Sequence, residues 1–367
     1  MSWIAAFAAR TERTAFGIKT SATRFLRPSA GAWITTALVV AATATAAHAQ
    51  LLRKPAPTSA ELAALGLQEK SLKVGAAERW FLVQPPADSG KAAPVLLVLH
   101  GGTQSMRRLF DTGVGATRGW PDLAKRENAV LLVPNGVNPD TGDAKSDDQN
   151  WNDLRQDGSR MSNADDVGFV LALLDWAQKT YKTDPARVYV TGASNGGIMT
   201  FRLLMEAPER FAAGAAIVAA LPVDSRRIKV PAKPTPLMLA NGTLDPLMLW
   251  NGGEIFGNRG KTRSVADTVA WWVAANKAAP EPSEVTQLTS RNKSQQPGDC
   301  VIERRVYAAS PAGAPVVAYS LQGGGHNLPS AKYAIPDSWL VRRFIGPVCH
   351  EVEGTELIWQ FLSAHRR

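Results

Sequence analysis

Residues 191–197 constrain the fold of this chain more than any other stretch. They read Thr-Gly-Ala-Ser-Asn-Gly-Gly, so Ser194 lies between Gly192 and Gly196. The β-branched and aromatic residues before this stretch predict a strand, and the apolar spacing after it predicts a helix. A serine at a strand-to-helix turn is held in a strained conformation, and small residues two positions away on either side let strand and helix approach closely. The stretch therefore predicts a nucleophile elbow, with an incidental serine in a glycine-rich turn as the alternative.

Apolar runs and amphipathic helices alternate along the rest of the chain. Residues 94–99 form an unbroken apolar run, which is typical of a strand buried on both faces of a parallel sheet. Further strands are predicted at residues 78–83, 129–133, 212–220, 236–240 and 316–321, and helices at 120–126, 165–181, 198–205, 264–275 and 355–365. This alternation predicts an α/β fold with a mostly parallel central sheet and helices on both faces.

The first 49 residues have the features of a secretory signal peptide. Basic residues precede an apolar run at residues 32–47, and Ala47-His48-Ala49 is a small-x-small cleavage site. An uncleaved anchor is the alternative, although the run is short for a membrane span. We therefore predict a signal peptide at 1–49, an amino-terminal lead at 50–75 and a catalytic α/β domain at 76–367. The protein is then expected to be secreted or periplasmic, without stable membrane insertion after cleavage.

The charge of the chain gives no reason to expect a nucleic-acid partner. The formal net charge is +9, and residues 1–49 contribute +4 of it, which leaves +5 for the remainder. The basic residues of that remainder are scattered and are not interleaved with aromatic residues, as they are in a nucleic-acid-binding surface.

Two cysteines, Cys300 and Cys349, are present in the chain. An even number of cysteines in an exported protein favours a disulfide between them. Two buried free thiols are the alternative that the sequence leaves open.

A serine nucleophile needs a base, and the base needs an orienting acid. Four of the five histidines lie beyond the predicted signal peptide. Among them, His326 follows a predicted strand in a glycine-rich loop, whereas His350 and His365 are interpreted as surface or structural residues. Asp245 follows directly on the strand at residues 236–240. The chain order Ser194, Asp245, His326 is that of α/β-hydrolases, so we predict these three as a catalytic triad, the acid being the member most open to misassignment.

The tetrahedral intermediate of such a reaction needs hydrogen-bond donors for its oxygen. One predicted donor is the backbone N–H of Asn195, directly after the nucleophile. The other comes from the loop that begins at His100, with Gly102 as the first choice and Thr103 as the second. A tight strand exit without catalytic meaning is the alternative for this loop.

The polar loop at residues 137–163 is long for a compact domain, and such loops are often functional. Trp151 in this loop and Trp250 are candidate walls of a substrate pocket, and Gln104 is a third candidate substrate-binding residue. Burial in the core is the alternative for either tryptophan. Asp165 and Asp166 open a predicted helix, where acidic residues are more often caps than a catalytic pair.

Five motifs together resemble the secreted poly(3-hydroxybutyrate) depolymerase-like esterases, a group related to feruloyl and acetylxylan esterases. They are LHGGTQ at residues 99–104, DDVGFV at 165–170, VYVTGASNGG at 188–197, NGTLDP at 241–246 and GH at 325–326. The resemblance implies an α/β-hydrolase fold and a carboxylic ester hydrolase without cofactor, whose partner is a small, oligomeric or polymeric ester. Many polymer depolymerases of this group have Cys where Gly102 stands, so polymer degradation is not implied.

No metal site is predicted, because the chain has neither a His-Glu-x-x-His motif nor paired cysteine spacing. A phosphate loop is also missing, and Gly113-Val114-Gly115 is a weak match to a dinucleotide site because it lacks the third glycine at the right offset.

The alternatives left open for the function are a peptidase on the same scaffold and a non-catalytic binding protein.

Overall fold

The computed structural model of the protein describes residues 55–111, 115–288, 300–333, 335 and 338–367. The predicted signal peptide lies outside these residues. The strands are β1 (Gln68–Val74), β2 (Ala77–Gln84), β3 (Val95–Leu99), β4 (Val130–Pro134), β5 (Val188–Ala193), β6 (Ala213–Ile217), β7 (Leu237–Gly242), β8 (Gly253–Glu254), β9 (Lys261–Thr262), β10 (Glu284–Gln287), β11 (Val301–Tyr307) and β12 (Val316–Gln322). The helices are α1 (Ser59–Ala64), α2 (Trp120–Arg126), α3 (Asp166–Tyr181), α4 (Asn195–Glu206), α5 (Val265–Ala275), α6 (Trp339–Ile345) and α7 (Gly354–Ser363). Short 3-10 turns occur at Arg108–Phe110, Gly115–Gly119 and Pro208–Arg210.

Ten of these strands form one sheet in the order β1-β2-β4-β3-β5-β6-β7-β12-β11-β10, and β8 pairs with β9 in a separate ribbon. The pairs from β4 to β12 are parallel, and the pairs at both ends of the sheet are antiparallel. Strand β4 lies on one side of β3, and the next strand along the chain, β5, lies on its other side. The direction in which successive strands are added to the sheet therefore reverses at β3. The predicted α/β class with a mostly parallel sheet is confirmed.

Helices cover both faces of the sheet, because successive side chains of the central strands point to opposite sides. In β3, Val95, Leu97 and Leu99 belong to the core beneath α3, α4 and α5. The alternate residues, Leu96 and Val98, belong to the second core, beneath α1, α2 and α7. The unbroken apolar run of this strand is therefore explained by burial on two sides.

The sheet begins before residue 76, the boundary predicted from the sequence. Strand β1 lies in the segment predicted as a lead, and it pairs with β2 along its whole length, from Gln68 opposite Val83 to Val74 opposite Ala77. Residues 56–367 form one compact unit. Neither face of β1 is fully buried, so its sequence is mostly charged and polar. For this reason the sequence pattern did not predict the strand.

The two acidic residues at the start of α3 have different roles. Asp165 is the N-cap, and its side chain accepts the backbone N–H of Gly168 at 2.9 Å. Asp166 is fully buried, where its carboxylate accepts hydrogen bonds from the guanidinium of Arg79 at 2.5 Å and from the backbone N–H of Asn152 at 2.7 Å. The capping interpretation therefore holds for Asp165, whereas Asp166 forms a buried ion pair that the sequence did not reveal.

The predicted disulfide is confirmed, since Cys300 at the start of β11 is bonded to Cys349. Among the described residues, no helix is long and apolar enough to cross a bilayer.

Candidate active site

The stretch after β5 has the backbone geometry of a nucleophile elbow. Ser194 has φ 57° and ψ −121°, a conformation that residues with a side chain rarely adopt. The glycines permit the close packing around it: a Cβ on Gly196 would lie 2.5 Å from the carbonyl oxygen of His100 and 2.6 Å from that of Leu99, and one on Gly197 would lie 2.6 Å from the Cβ of Ala219. The helix after Ser194 can therefore contact the neighbouring strand ends only because these positions lack side chains.

The predicted acid and base are in contact. Nδ1 of His326 lies 2.7 Å from Oδ2 of Asp245. The other carboxylate oxygen of Asp245 accepts the backbone N–H groups of Leu247 and Met248, both at 2.8 Å. The Asp245 side chain is 1% exposed and that of His326 is 11% exposed. This arrangement fixes a proton on Nδ1 and leaves Nε2 as the acceptor.

The three predicted residues lie at the same edge of the sheet. Ser194 follows β5, Asp245 follows β7 and His326 follows β12, and these strands run in the same direction. Strands β7 and β12 are direct neighbours, with Gly242 opposite Leu321. The carboxyl ends of parallel strands meet at one edge, where ligands of open α/β sheets bind.

The loop that carries His326 is held by the segment around the disulfide. The backbone N–H groups of His326 and Gly325 donate to the carbonyl oxygens of Ile345 at 2.5 Å and Pro347 at 2.8 Å. Cys349 follows two residues later and is tied to β11. The disulfide therefore fixes the segment against which the base is positioned.

The loop after β3 is held by His100, which is fully buried. The backbone N–H of Gly136 donates to Nε2 of His100 at 3.0 Å, so the ring proton lies on Nδ1, which donates to the carbonyl oxygen of Gly101 at 2.8 Å. Desolvation lowers the pKa of His100 to about 4, and the charge of Arg79 adds to this effect, so the ring is neutral at pH 7. Because a peptide unit is planar, fixing the Gly101 carbonyl also fixes the direction of the Gly102 N–H.

The structure distinguishes between the two candidate donors in this loop. The backbone N–H of Thr103 donates to the carbonyl oxygen of Gln149 and to Oδ1 of Asn150, both at 2.8 Å. Within the described part of the chain, no hydrogen-bond partner occurs for the N–H of Gly102 or of Asn195. A Cβ placed on Gly102 would lie 3.4 Å from the Cβ of Asn195, so the two donors are neighbours. The geometry favours Gly102 over Thr103.

The three predicted substrate-binding residues have different surroundings. Trp151 has no exposed surface, its indole N–H donates to the carbonyl oxygen of His100 at 2.9 Å, and it therefore packs in the core and does not line a pocket. Trp250 lines a cavity of about 410 Å³ between α5 and the sheet, together with Asn241 at the end of β7. Gln104 is half-buried and pairs through its backbone with Gln149, which leaves its substrate role a prediction.

The long loop at residues 137–163 carries polar residues that sequence reasoning did not assign to the site. Asp153 is fully buried and accepts Nδ2 of Asn195 at 2.6 Å. Nε of Arg155 donates to both oxygens of this carboxylate, at 3.1 and 2.9 Å. The sequence signal was the position of Trp151-Asn152-Asp153 in an unusually long loop, which indicated function without naming the contacts.

Potential metal ligands form one cluster in the described part of the chain, Cys300, Cys349 and Glu351. Both sulfurs of this cluster are in the disulfide, so they are not available to a metal.

Comparison with known proteins gives partial matches. A model of the prolyl oligopeptidase family matches residues 148–230. The protein named "Putative esterase NocK" from Nocardia uniformis subsp. tsuyamanensis is 28% identical over 252 residues, 65% of this chain and 67% of that protein. A poly(3-hydroxybutyrate) depolymerase of Ralstonia pickettii is 37% identical over 136 residues, 36% of this chain and 26% of that protein.

A feruloyl esterase B of Piromyces equi is 26% identical over 239 residues, 64% of this chain and 40% of that protein. The matches thus span well under half of the depolymerase and of the feruloyl esterase. A solved thermostable esterase is 16% identical with a TM-score of 0.48, covering 82% of this chain and 64% of that one.

The sheet order and the elbow after β5 define this chain as an α/β-hydrolase. Within that class, parts of its sequence are similar to a poly(3-hydroxybutyrate) depolymerase and to a feruloyl esterase.

Proposed function

We propose that the protein is an exported serine esterase that hydrolyses carboxylic esters through an acyl-enzyme. The observation that carries the proposal is the 2.7 Å contact between Nδ1 of His326 and the Asp245 carboxylate, at the sheet edge that also carries Ser194 in its strained turn. A base held in one tautomer, at the same sheet edge as a backbone-strained serine, is suited to acyl transfer.

The reaction follows from these roles. Nε2 of His326 takes the hydroxyl proton as Oγ of Ser194 forms a bond to the ester carbonyl carbon. The carbonyl oxygen becomes an oxyanion that accepts hydrogen bonds from the N–H groups of Asn195 and Gly102. Collapse breaks the bond to the alcohol, which leaves with the proton from His326. A water molecule then attacks the acyl-enzyme, His326 takes its proton and returns it to Ser194, and the carboxylic acid is released. Asp245 stays ionised and holds the imidazole throughout.

The substrate we propose is an ester of a hydroxyalkanoate oligomer or polymer, or a feruloyl- or acetyl-type ester. The names of the relatives support this range, since one is a poly(3-hydroxybutyrate) depolymerase and another a feruloyl esterase.

Export to the periplasm or the medium is proposed from the basic and apolar pattern of residues 1–49 and is supported by the Cys300–Cys349 disulfide. In this location the esterase would act on esters outside the cytoplasm.

A peptidase is the second candidate, because the family model that matches residues 148–230 is that of prolyl oligopeptidases. The matched segment contains Ser194 but neither Asp245 nor His326. It therefore covers the part of the fold that contains the nucleophile elbow, and α/β-hydrolases of different activities share this part. An ester and an amide substrate with the same acyl group separate the two candidates.

The test is hydrolysis of a panel by the protein and its Ser194→Ala variant. The panel contains p-nitrophenyl acetate and butyrate, methyl ferulate, 3-hydroxybutyrate oligomers, and an aminoacyl p-nitroanilide with the p-nitrophenyl ester of the same acyl group. We expect turnover of at least one ester by the wild type and a loss of about 10⁴-fold or more in Ser194→Ala, since this change removes the nucleophile.

Ser283→Ala is the matched control, because this hydroxyl is exposed near β10 and donates to the carbonyl oxygen of Val306. It should keep wild-type activity. Equal activity of wild type and Ser194→Ala, or cleavage of the anilide in preference to every ester, would contradict the proposed esterase.

A further inference from the structure

The two proposed oxyanion donors come from different parts of the chain. The Gly102 N–H is in the loop after β3, and the Asn195 N–H is at the start of α4. An oxyanion hole stabilises the transition state only if its donors converge on one point, about 3 Å from both. A connection between the two segments is therefore of catalytic interest.

Trp151 makes this connection. Its indole N–H donates to the carbonyl oxygen of His100 at 2.9 Å, and its ring lies against the His100 ring with centroids 4.7 Å apart. Its backbone N–H donates to Oδ1 of Asn195 at 2.8 Å, and its carbonyl oxygen accepts Nδ2 of Asn195 at 3.3 Å. One residue of the long loop thus contacts both segments that carry a donor.

Asp153 completes the arrangement from the other side. Its carboxylate accepts Nδ2 of Asn195 at 2.6 Å, and it is itself held by the guanidinium of Arg155 at 2.8 Å. Asp153 and Trp151 are fully buried, and Asn195 is 4% exposed. Hydrogen bonds in such surroundings are strong, and those that involve a charged acceptor are stronger still.

We infer that Trp151, Asn195 and Asp153, which we call the Trp151 bracket, position the two oxyanion donors relative to each other. The inference rests on the proposed function and adds to it three positioning residues that act through the backbone N–H groups of Gly102 and Asn195. The side chain of Asn195 therefore has a role separate from that of its backbone. Every bond of the bracket is made within the protein before substrate binds, so the bracket preorganises the hole.

The experiment uses Trp151→Phe, which removes the indole N–H and keeps most of the buried ring. Trp272→Phe is the matched control, because Trp272 is equally buried and its indole nitrogen has no hydrogen-bond partner among the described residues. Both variants are assayed on the best ester of the panel, with the number of active sites titrated by an organophosphate and folding checked by circular dichroism. The binding of a trifluoromethyl ketone, which forms a tetrahedral adduct with the serine, is measured alongside.

We expect Trp151→Phe to lower kcat per active site by about 10- to 100-fold, less than the loss of a whole donor can cost. The inhibition constant of the ketone should rise by the same factor while KM changes little, since an interaction made only in the transition state is weakened. Trp272→Phe should change none of these values. Asn195→Ala should resemble Trp151→Phe, and the double variant should lose less than the product of the two single effects.

Two outcomes would overturn the bracket. Wild-type kcat and ketone affinity in Trp151→Phe would mean that the donors are positioned without it. Equal losses in Trp151→Phe and Trp272→Phe would mean that only packing was disturbed. Either result leaves esterase activity that depends on Ser194 intact, whereas a wild type without such activity contradicts the proposed function itself.

Discussion

The burial of His100 makes the stability of the folded chain depend on pH. The ring is fully buried and its Nε2 accepts the Gly136 N–H, which requires the neutral form, while its Nδ1 donates to the Gly101 carbonyl. Desolvation lowers its pKa from 6.5 to about 4 in the folded chain. The unfolded chain keeps the ordinary value, so between these two pH values only the unfolded state binds a proton at this position.

The sign and size of the effect follow from this difference. Stability rises with pH wherever the unfolded state binds more protons, so the contribution of His100 is complete above pH 6.5 and is lost as pH falls towards 4. Each pH unit in this window corresponds to about 1.4 kcal/mol, which gives a total of about 3 kcal/mol. That is a large fraction of the free energy of unfolding of an ordinary domain.

The assay is urea unfolding of the wild type and of His100→Gln at several pH values from 4.5 to 6.0. Carboxylates and the other histidines titrate in both proteins, so their contributions cancel in the difference between the two free energies of unfolding. We expect His100→Gln to be less stable at every pH, and its deficit to shrink by about 2 kcal/mol from pH 6.0 to 4.5. Parallel stability curves would refute the reasoning, because they would mean that the folded chain protonates His100 as readily as the unfolded chain does.

Two further predictions concern the disulfide and the buried ion pair. Replacing both Cys300 and Cys349 by Ala should lower the free energy of unfolding, measured in urea, by about 4 kcal/mol for a separation of 49 residues. The same change should lower kcat for ester hydrolysis, because the segment that holds His326 loses its disulfide bond to β11. An unchanged kcat would contradict this second effect. Asp166→Ala should lower the free energy of unfolding by about 3–5 kcal/mol, because it removes the carboxylate that pairs with the buried Arg79 guanidinium. Asp165→Ala removes only a helix cap and should lower it by about 1 kcal/mol. Equal losses in urea unfolding would contradict this distinction.

The sequence predicted the centre of the sheet better than its edges. Strand β3 is buried on both faces, so its unbroken apolar run stands out from the rest of the chain. Strand β10 is exposed at every residue, and the middle of β11 reads Glu-Arg-Arg, so neither has an apolar pattern. These strands, one at the edge of the sheet and one next to it, form because a neighbouring strand offers backbone hydrogen bonds, and that neighbour cannot be identified from a local pattern.

The candidate site was predictable where it depends on strand ends and unpredictable where it depends on loop paths. Ser194, Asp245 and His326 each follow a strand directly, so chain order and topology were enough to select them. The contact of Asp153 with Asn195 joins a long loop to a helix 42 residues away, and no local pattern fixes the path of such a loop. For the same reason, the sequence could not distinguish the buried role of Trp151 from that of a pocket wall.

The sheet order explains why the nucleophile and the oxyanion loop come together. Strand β4 lies on one side of β3, and β5 lies on its other side, followed by β6. The loops that follow β3 and β5 therefore begin next to each other at the sheet edge and lead towards opposite ends of the sheet. The point where strand order reverses is where open α/β sheets bind ligands. Here the crevice is so narrow that a Cβ on Gly196 would lie 2.5 Å from the carbonyl oxygen of His100 and 2.6 Å from that of Leu99, and Gly102 and Asn195 are neighbours. Since backbone contacts and the Trp151 bracket fix the donors, we expect differences in substrate among its relatives to come from the other parts of the long loops that surround them.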